Sequence, residues 1–191
     1  MARIFGFILF LGLSAGVSAE VREKNWPEPK LIDDSLTVAV QSLRFTLPAP
    51  VREVSTVGLS TPNLQLEFGN SEFTVFQNTE QDVFGPKEKS KLGKTELYNL
   101  QKALVFAATD SNKEKPFYPQ LNQVFLNGQA CCLDKYTNAE SGITAYLWNP
   151  EGQQEHYGYV FLEAEDRFYR FIGQIDTRDF EQILSKLNVK K

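Results

Sequence analysis

Two segments near the C-terminus, His156–Leu162 and Arg167–Ile172, carry apolar or aromatic side chains at both odd and even positions, and this constrains the chain more than any other feature. Successive side chains of a strand point to opposite faces, so one apolar parity leaves a wet face and two parities demand cover on both sides. Ala164-Glu165-Asp166 between the segments reads as a hairpin turn. The expectation is a central pair of strands in a sheet that is at least partly covered on each face.

The remainder supports a strand-rich domain over residues 35–191. Fifteen Phe and seven Tyr favour strands over helices. Leu36–Val40, Leu43–Leu47 and Val51–Leu59 read as strands, and Asn63–Phe68 with Glu72–Phe76 as a hairpin about Gly69-Asn70. Thr95 caps a predicted helix over Glu96–Ala108, where Leu97, Leu100, Ala103, Leu104 and Ala107 recur at helical spacing. Asp110–Pro119 reads as a polar loop, followed by strands at Gln123–Leu126, Ala130–Leu133 and Ile143–Trp148. Thr177 or Asp176 caps a closing helix with Phe180, Ile183, Leu184 and Leu187 as its apolar stripe. The expected class is α+β, an antiparallel sheet flanked by an internal helix and a C-terminal helix.

Residues 1–19 have the layout of a cleavable secretory leader. Arg3 is followed by the apolar run Ile4–Leu13, and Val17-Ser18-Ala19 offers small side chains for cleavage after Ala19. The run is about half the ~20 residues a membrane span needs, so no transmembrane segment is expected in the mature chain. No cysteine lies beside the cleavage site, so no lipid anchor is expected either. Residues 20–34 read as an extended polar lead-in, and the destination is periplasmic or secreted.

The chain carries 20 basic and 24 acidic residues, a net charge of −4, and losing Arg3 with the leader makes it slightly more negative. A general basic field is absent, which argues against nucleic acid as a partner. The two cysteines are adjacent, Cys131-Cys132, so the disulfide framework usual in small exported domains is missing and the core must hold the fold.

Two stretches resemble the PsbP-like family. Leu43-Arg-Phe-Thr-Leu-Pro-Ala49 is similar to its opening strand, and Arg167–Lys186, running into Asp176-Thr-Arg-Asp-Phe-Glu-Gln-Ile-Leu-Ser185, to its closing strand and helix. The resemblance implies an antiparallel sheet flanked by helices, a PsbP-like sandwich, and a binding or assembly role in preference to catalysis. Neither stretch carries chemistry, so no functional residue is transferred, and Cys131-Cys132 is not part of the family pattern.

The candidate sites follow from residue type. Tyr157, Tyr159 and Phe161 share one face, with Arg167 and Arg170 on the partner strand, so Tyr157, Tyr159, Arg167 and Arg170 form a candidate binding set, although aromatics of this kind also build cores. Cys131 and Cys132 are redox candidates, as a vicinal disulfide or a soft-metal pair; on a strand they would instead point to opposite faces, one of them inward. His156 is the chain's single histidine, and no Gly-x-Ser-x-Gly elbow accompanies it. Lys87, Lys89, Lys91 and Lys94 form a basic run that reads as a solvated loop. No catalytic residue, metal site or cofactor is indicated. The leading expectation is a non-enzymatic accessory whose partner is another envelope protein. A carboxylate-dependent hydrolase and a thiol redox or metal protein are the alternatives.

Overall fold

A computed structural model describes residues 21–29, 35–48, 50–57, 63–79, 97–109, 114–115, 118–126, 132–150, 153–165 and 167–189. The leader 1–19, Thr95, the lysine run 87–94 and Cys131 lie outside these residues. The elements are β1 (Val21–Lys24), β2 (Ser35–Val40), β3 (Leu43–Pro48), β4 (Val51–Val57), β5 (Asn63–Phe68), β6 (Ser71–Thr79), α1 (Leu97–Ala108), α2 (Tyr118–Leu126), β7 (Leu133–Asn138), β8 (Ile143–Trp148), β9 (His156–Leu162), β10 (Arg167–Gln174), α3 (Thr177–Ser185) and β11 (Asn188–Val189).

Among the described residues eight strands form the main sheet in the order β1-β7-β8-β9-β10-β6-β5-β4, and three form a second sheet, β11-β3-β2. Pairing in the main sheet is antiparallel except at one margin, where β1 runs parallel to β7. This overturns the expected α+β sandwich of one antiparallel sheet flanked by two helices: the chain is predominantly strand, the main sheet is mixed, and one covering layer is largely a sheet itself. The reason lies in alternation. Val38, Val40, Leu43, Phe45 and Leu47 are buried at every second position, so the β2–β3 hairpin packs one face across the main sheet instead of extending it.

The expected central pair is found: β9 and β10 occupy the middle of the main sheet, and their two parities separate two cores. Even positions of β9 and odd positions of β10 (Val160, Leu162, Tyr169, Phe171) face the small sheet and α3. Tyr157, Tyr159, Phe161 and Phe168 face α1 and α2. Phe171 is the hub of the first core, its ring 6.0 Å from that of Phe45, 5.6 Å from Phe73 and 5.8 Å from Phe180. Phe168 is the hub of the second, stacked on Phe161 at 5.1 Å and lying 6.4 Å from Phe125.

Two predicted strands are corrected. Gln123–Leu126 is the second half of α2, because Tyr118, Leu121, Asn122 and Phe125 bury one helical face, and Asn122 Nδ2 donates to Tyr118 Oη at 3.0 Å. Pro119 is tolerated because it stands in the first turn. Of the strand expected at Ala130–Leu133, Ala130 and Cys131 lie outside the described residues; the strand found there runs from Leu133 to Asn138, and Cys132 just before it is not extended but has a left-handed φ of 57°.

Polar ties fix the periphery. Asp134, 6% exposed, receives Arg22 Nε at 2.6 Å and Lys24 Nζ at 3.9 Å, clamping β1 onto β7. Asp176, one of the two predicted caps, accepts from Arg178 N and Asp179 N and opens α3. The Asp179 carboxylate accepts from Asn70 N at 3.0 Å and from Ser71 Oγ at 2.7 Å, fastening that helix to the β5–β6 turn. Among the described residues no helix is long and apolar enough to cross a membrane.

The β6–β10 junction depends on Gly173. Its φ is +147°, and a Cβ there would lie 2.3 Å from Glu72 O and 2.7 Å from Phe73 Cα. Gly142, at φ +63°, would meet only the Glu163 side chain. Gly173→Ala is expected to cost about 2–4 kcal/mol through strain and displaced backbone, and Gly142→Ala about 1 kcal/mol. Denaturant midpoints of the two variants would check the ranking.

Candidate functional site

The candidate binding set divides between the two faces of β10. Tyr157 and Tyr159 are 4% and 0% exposed beneath the α1–α2 layer, and Tyr159 Oη donates to the Phe125 carbonyl. Arg170 joins them: its guanidinium carbon lies 5.3 Å from the Tyr157 ring centroid and 6.0 Å from that of Tyr159. Such contacts stabilise by about 0.5–2 kcal/mol. Arg170 Nε is buried without a hydrogen-bond partner among the described residues, and Tyr157 Oη donates to Glu155 Oε2 at 2.7 Å. Three of the four residues therefore form one cluster. Arg167, of opposite parity, stands on the other face.

Arg167 belongs to an open cavity of about 530 Å³ lined by Gln41, Ser42, Ala164, Glu165 and Arg167, within the size range of small-molecule sites. It lies where the β2–β3 turn meets the β9–β10 turn. Gln41 occupies the first position of its two-residue turn with φ 57°, a left-handed conformation that glycine would adopt more cheaply. The neighbouring Ser42 Oγ donates to Glu165 Oε1 at 2.5 Å, a charge-assisted length, and meets Tyr169 Oη at 2.8 Å. Gln77 Nε2 donates to Tyr169 Oη at 3.3 Å, and Arg167 Nε pairs with Glu165 Oε2 at 3.5 Å. A hydroxyl donating to a carboxylate ties two turns together, and it is also the minimal arrangement for a base-assisted hydroxyl. Sequence reasoning missed Ser42, Gln77 and Glu165 as site residues, and it saw Tyr169 only as one of the aromatics of the last strands. Ser42 and Glu165 are 123 positions apart, and no local pattern joins them.

His156 is bracketed by backbone. Its Nδ1 lies 2.7 Å from Ile175 O and 3.1 Å from Ile175 N, and its Nε2 lies 3.3 Å from Gln153 O. The ring thereby holds the β8–β9 connection against the approach to α3. Cys132 is half-buried and not crosslinked; Cys131 lies outside the described residues, so the pair's geometry is not on view. Among the described residues no group of three or more His, Cys, Asp or Glu side chains is placed to hold a metal ion. No protein-family model matches the sequence, and no curated protein matches it.

Burial shapes the titration of the aromatic cluster. It pushes Tyr157 up to about 12, reinforced by the Glu155 hydrogen bond and charge, and Tyr146 up to about 12, reinforced by Glu23. Burial also raises Tyr159 and Tyr136. Each stays protonated in the native state where an unfolded tyrosine, near 10, ionises. Between about pH 10 and 12 the unfolded chain therefore binds fewer protons than the native one, so stability is full below pH 10 and falls as pH rises. Phenolate absorbance should rise in two phases, the second coinciding with unfolding. A single phase near pH 10 with the fold intact would contradict this account.

Proposed function

We propose that this protein is a non-enzymatic accessory of the cell envelope, exported by its leader, that binds another envelope protein. The observation that carries the reading is where its reactive groups are held: both ring nitrogens of His156 face backbone groups, and Ser42 is bonded to both Glu165 and Tyr169 across two sheets. These side chains join elements of the fold. The resemblance of Leu43–Ala49 and Arg167–Lys186 to PsbP-like proteins supports the same class of role.

The sheet margins supply a surface for a partner. Among the described residues nothing pairs with the outer edge of β4 or of β2, and the exposed large hydrophobic residues are Val54 on β4, at 41%, and Leu36 on β2, at 43%. Native sheets usually cover or charge such edges. An uncovered edge offers its row of N–H and C=O groups to an extended segment of a partner, with alternate side chains setting selectivity. Val54→Lys should leave stability within about 0.5 kcal/mol, because the site is exposed. It should also abolish retention of a specific partner that the wild-type mature chain holds from an envelope fraction. Equal retention by both proteins would exclude the β4 edge.

A second reading, a carboxylate-dependent hydrolase, is favoured by the Ser42–Glu165 pair in its cavity. Chromogenic ester and glycoside substrates separate the two. Turnover by wild type that Glu165→Gln removes would favour the hydrolase, and equal absence of turnover in both supports the accessory.

A further inference from the structure

We propose that the groove between α1 and the β7–β8 pair is a binding site for a small amphipathic organic anion, one with a short apolar body and an anionic head. This reading is independent of the β4 edge. The groove has a volume of about 510 Å³, which suits a drug-sized ligand. Its floor is a block of two cross-strand pairs, Lys135 with Tyr146 and Thr137 with Thr144. Its wall comes from the flank of α1 beside the core stripe, where Val105 and Phe106 supply apolar surface and Lys102 a second cation.

Tyr146 is the decisive residue. It is 2% exposed and lines the groove, and its hydroxyl, which bonds to none of the described residues, is not among the fully enclosed unpaired polar atoms and so opens on the groove. A phenol with a buried ring and a reachable oxygen can exchange water for a ligand atom. By contrast, the hydroxyls of Tyr157 and Tyr159, one strand away, are both bonded. An oxygen-bearing head above Tyr146 would satisfy this donor.

Charge selects the class of head. The chain as a whole has a net charge of −4, yet among the described residues two lysines and no carboxylate line the groove. Lys135 Nζ is held by Glu23 Oε1 of β1 at 2.8 Å, and this glutamate is 67% exposed. Glu23 therefore competes with an anionic ligand for Lys135 from outside the groove. A ligand that displaces it exchanges one anion for another, and its apolar body gains the surface of Val105 and Phe106 as well.

The test is calorimetric titration of the mature chain with octyl phosphate below its micelle concentration, with octyl glucoside as the uncharged-head control and inorganic phosphate as the control without a chain. Saturable binding of one octyl phosphate is expected, at least about tenfold tighter than either control. Tyr146→Phe keeps the ring contact with Phe161 at 5.8 Å and should weaken binding about 3–10-fold with an unchanged unfolding midpoint. Lys102→Ala should weaken it at least about fivefold. Glu23→Gln should tighten it about 2–5-fold by releasing Lys135. Octyl glucoside binding as tightly as octyl phosphate, binding indifferent to all three substitutions, or no saturable binding would each overturn the proposal.

Discussion

The register between β6 and β10 makes one sheet out of two meanders. The strands β4-β5-β6 and β7-β8-β9-β10 each form locally, and eight residue pairs, from Arg167 opposite Thr79 to Gln174 opposite Glu72, join them across the intervening helices. Such long-range pairing is entropically costly to nucleate, so its geometry has to be right. At Gly173 even a Cβ would collide with the backbone of β6. The same strand carries the hubs of both cores, Phe168 on one face and Phe171 on the other. Losing the junction would remove a wall from each core at once.

With the middle of the sheet filled by aromatic rings, polar chemistry is displaced to its margins. The buried Asp134 is ion-paired with Arg22 and Lys24 of β1, and the buried Asp179 accepts from Asn70 and Ser71; each pairing offsets the desolvation of a carboxylate and explains why they pin β1 and α3. Ser42, Glu165 and Tyr169 do the same between the two sheets. Surfaces open to a partner or ligand are left at the periphery: the β4 edge, the cavity beside Gln41, and the groove beneath α1. The last two lie against different faces of the sheet, near different turns and edges, so substitution at one should leave the other intact.

The sequence by itself determined the elements whose physics is local or periodic. The alternation in Asn63–Phe68, the Gly69-Asn70 turn, the double parity of His156–Leu162 and Arg167–Ile172, and the Asp176 cap are all legible because neighbouring residues carry the signal. Gln123–Leu126 was misread because Val124 and Phe125 favour strands in a four-residue window. The helical repeat appears only when the window reaches back to Tyr118.

Tertiary structure decided which surfaces meet. Periodicity shows that β2 and β3 have an apolar face, but not that they pack it across the main sheet instead of lengthening it, since either arrangement buries Phe45 and Leu47. It groups Arg167 with Arg170 on one strand, and only the strand's alternation within a covered sheet sends the first to the Ser42 cavity and the second onto Tyr157. The partnership of Ser42 with Glu165 and the placement of Tyr146 on the groove beneath α1 are properties of distance in space, set by how strands separated by long stretches of chain come into register.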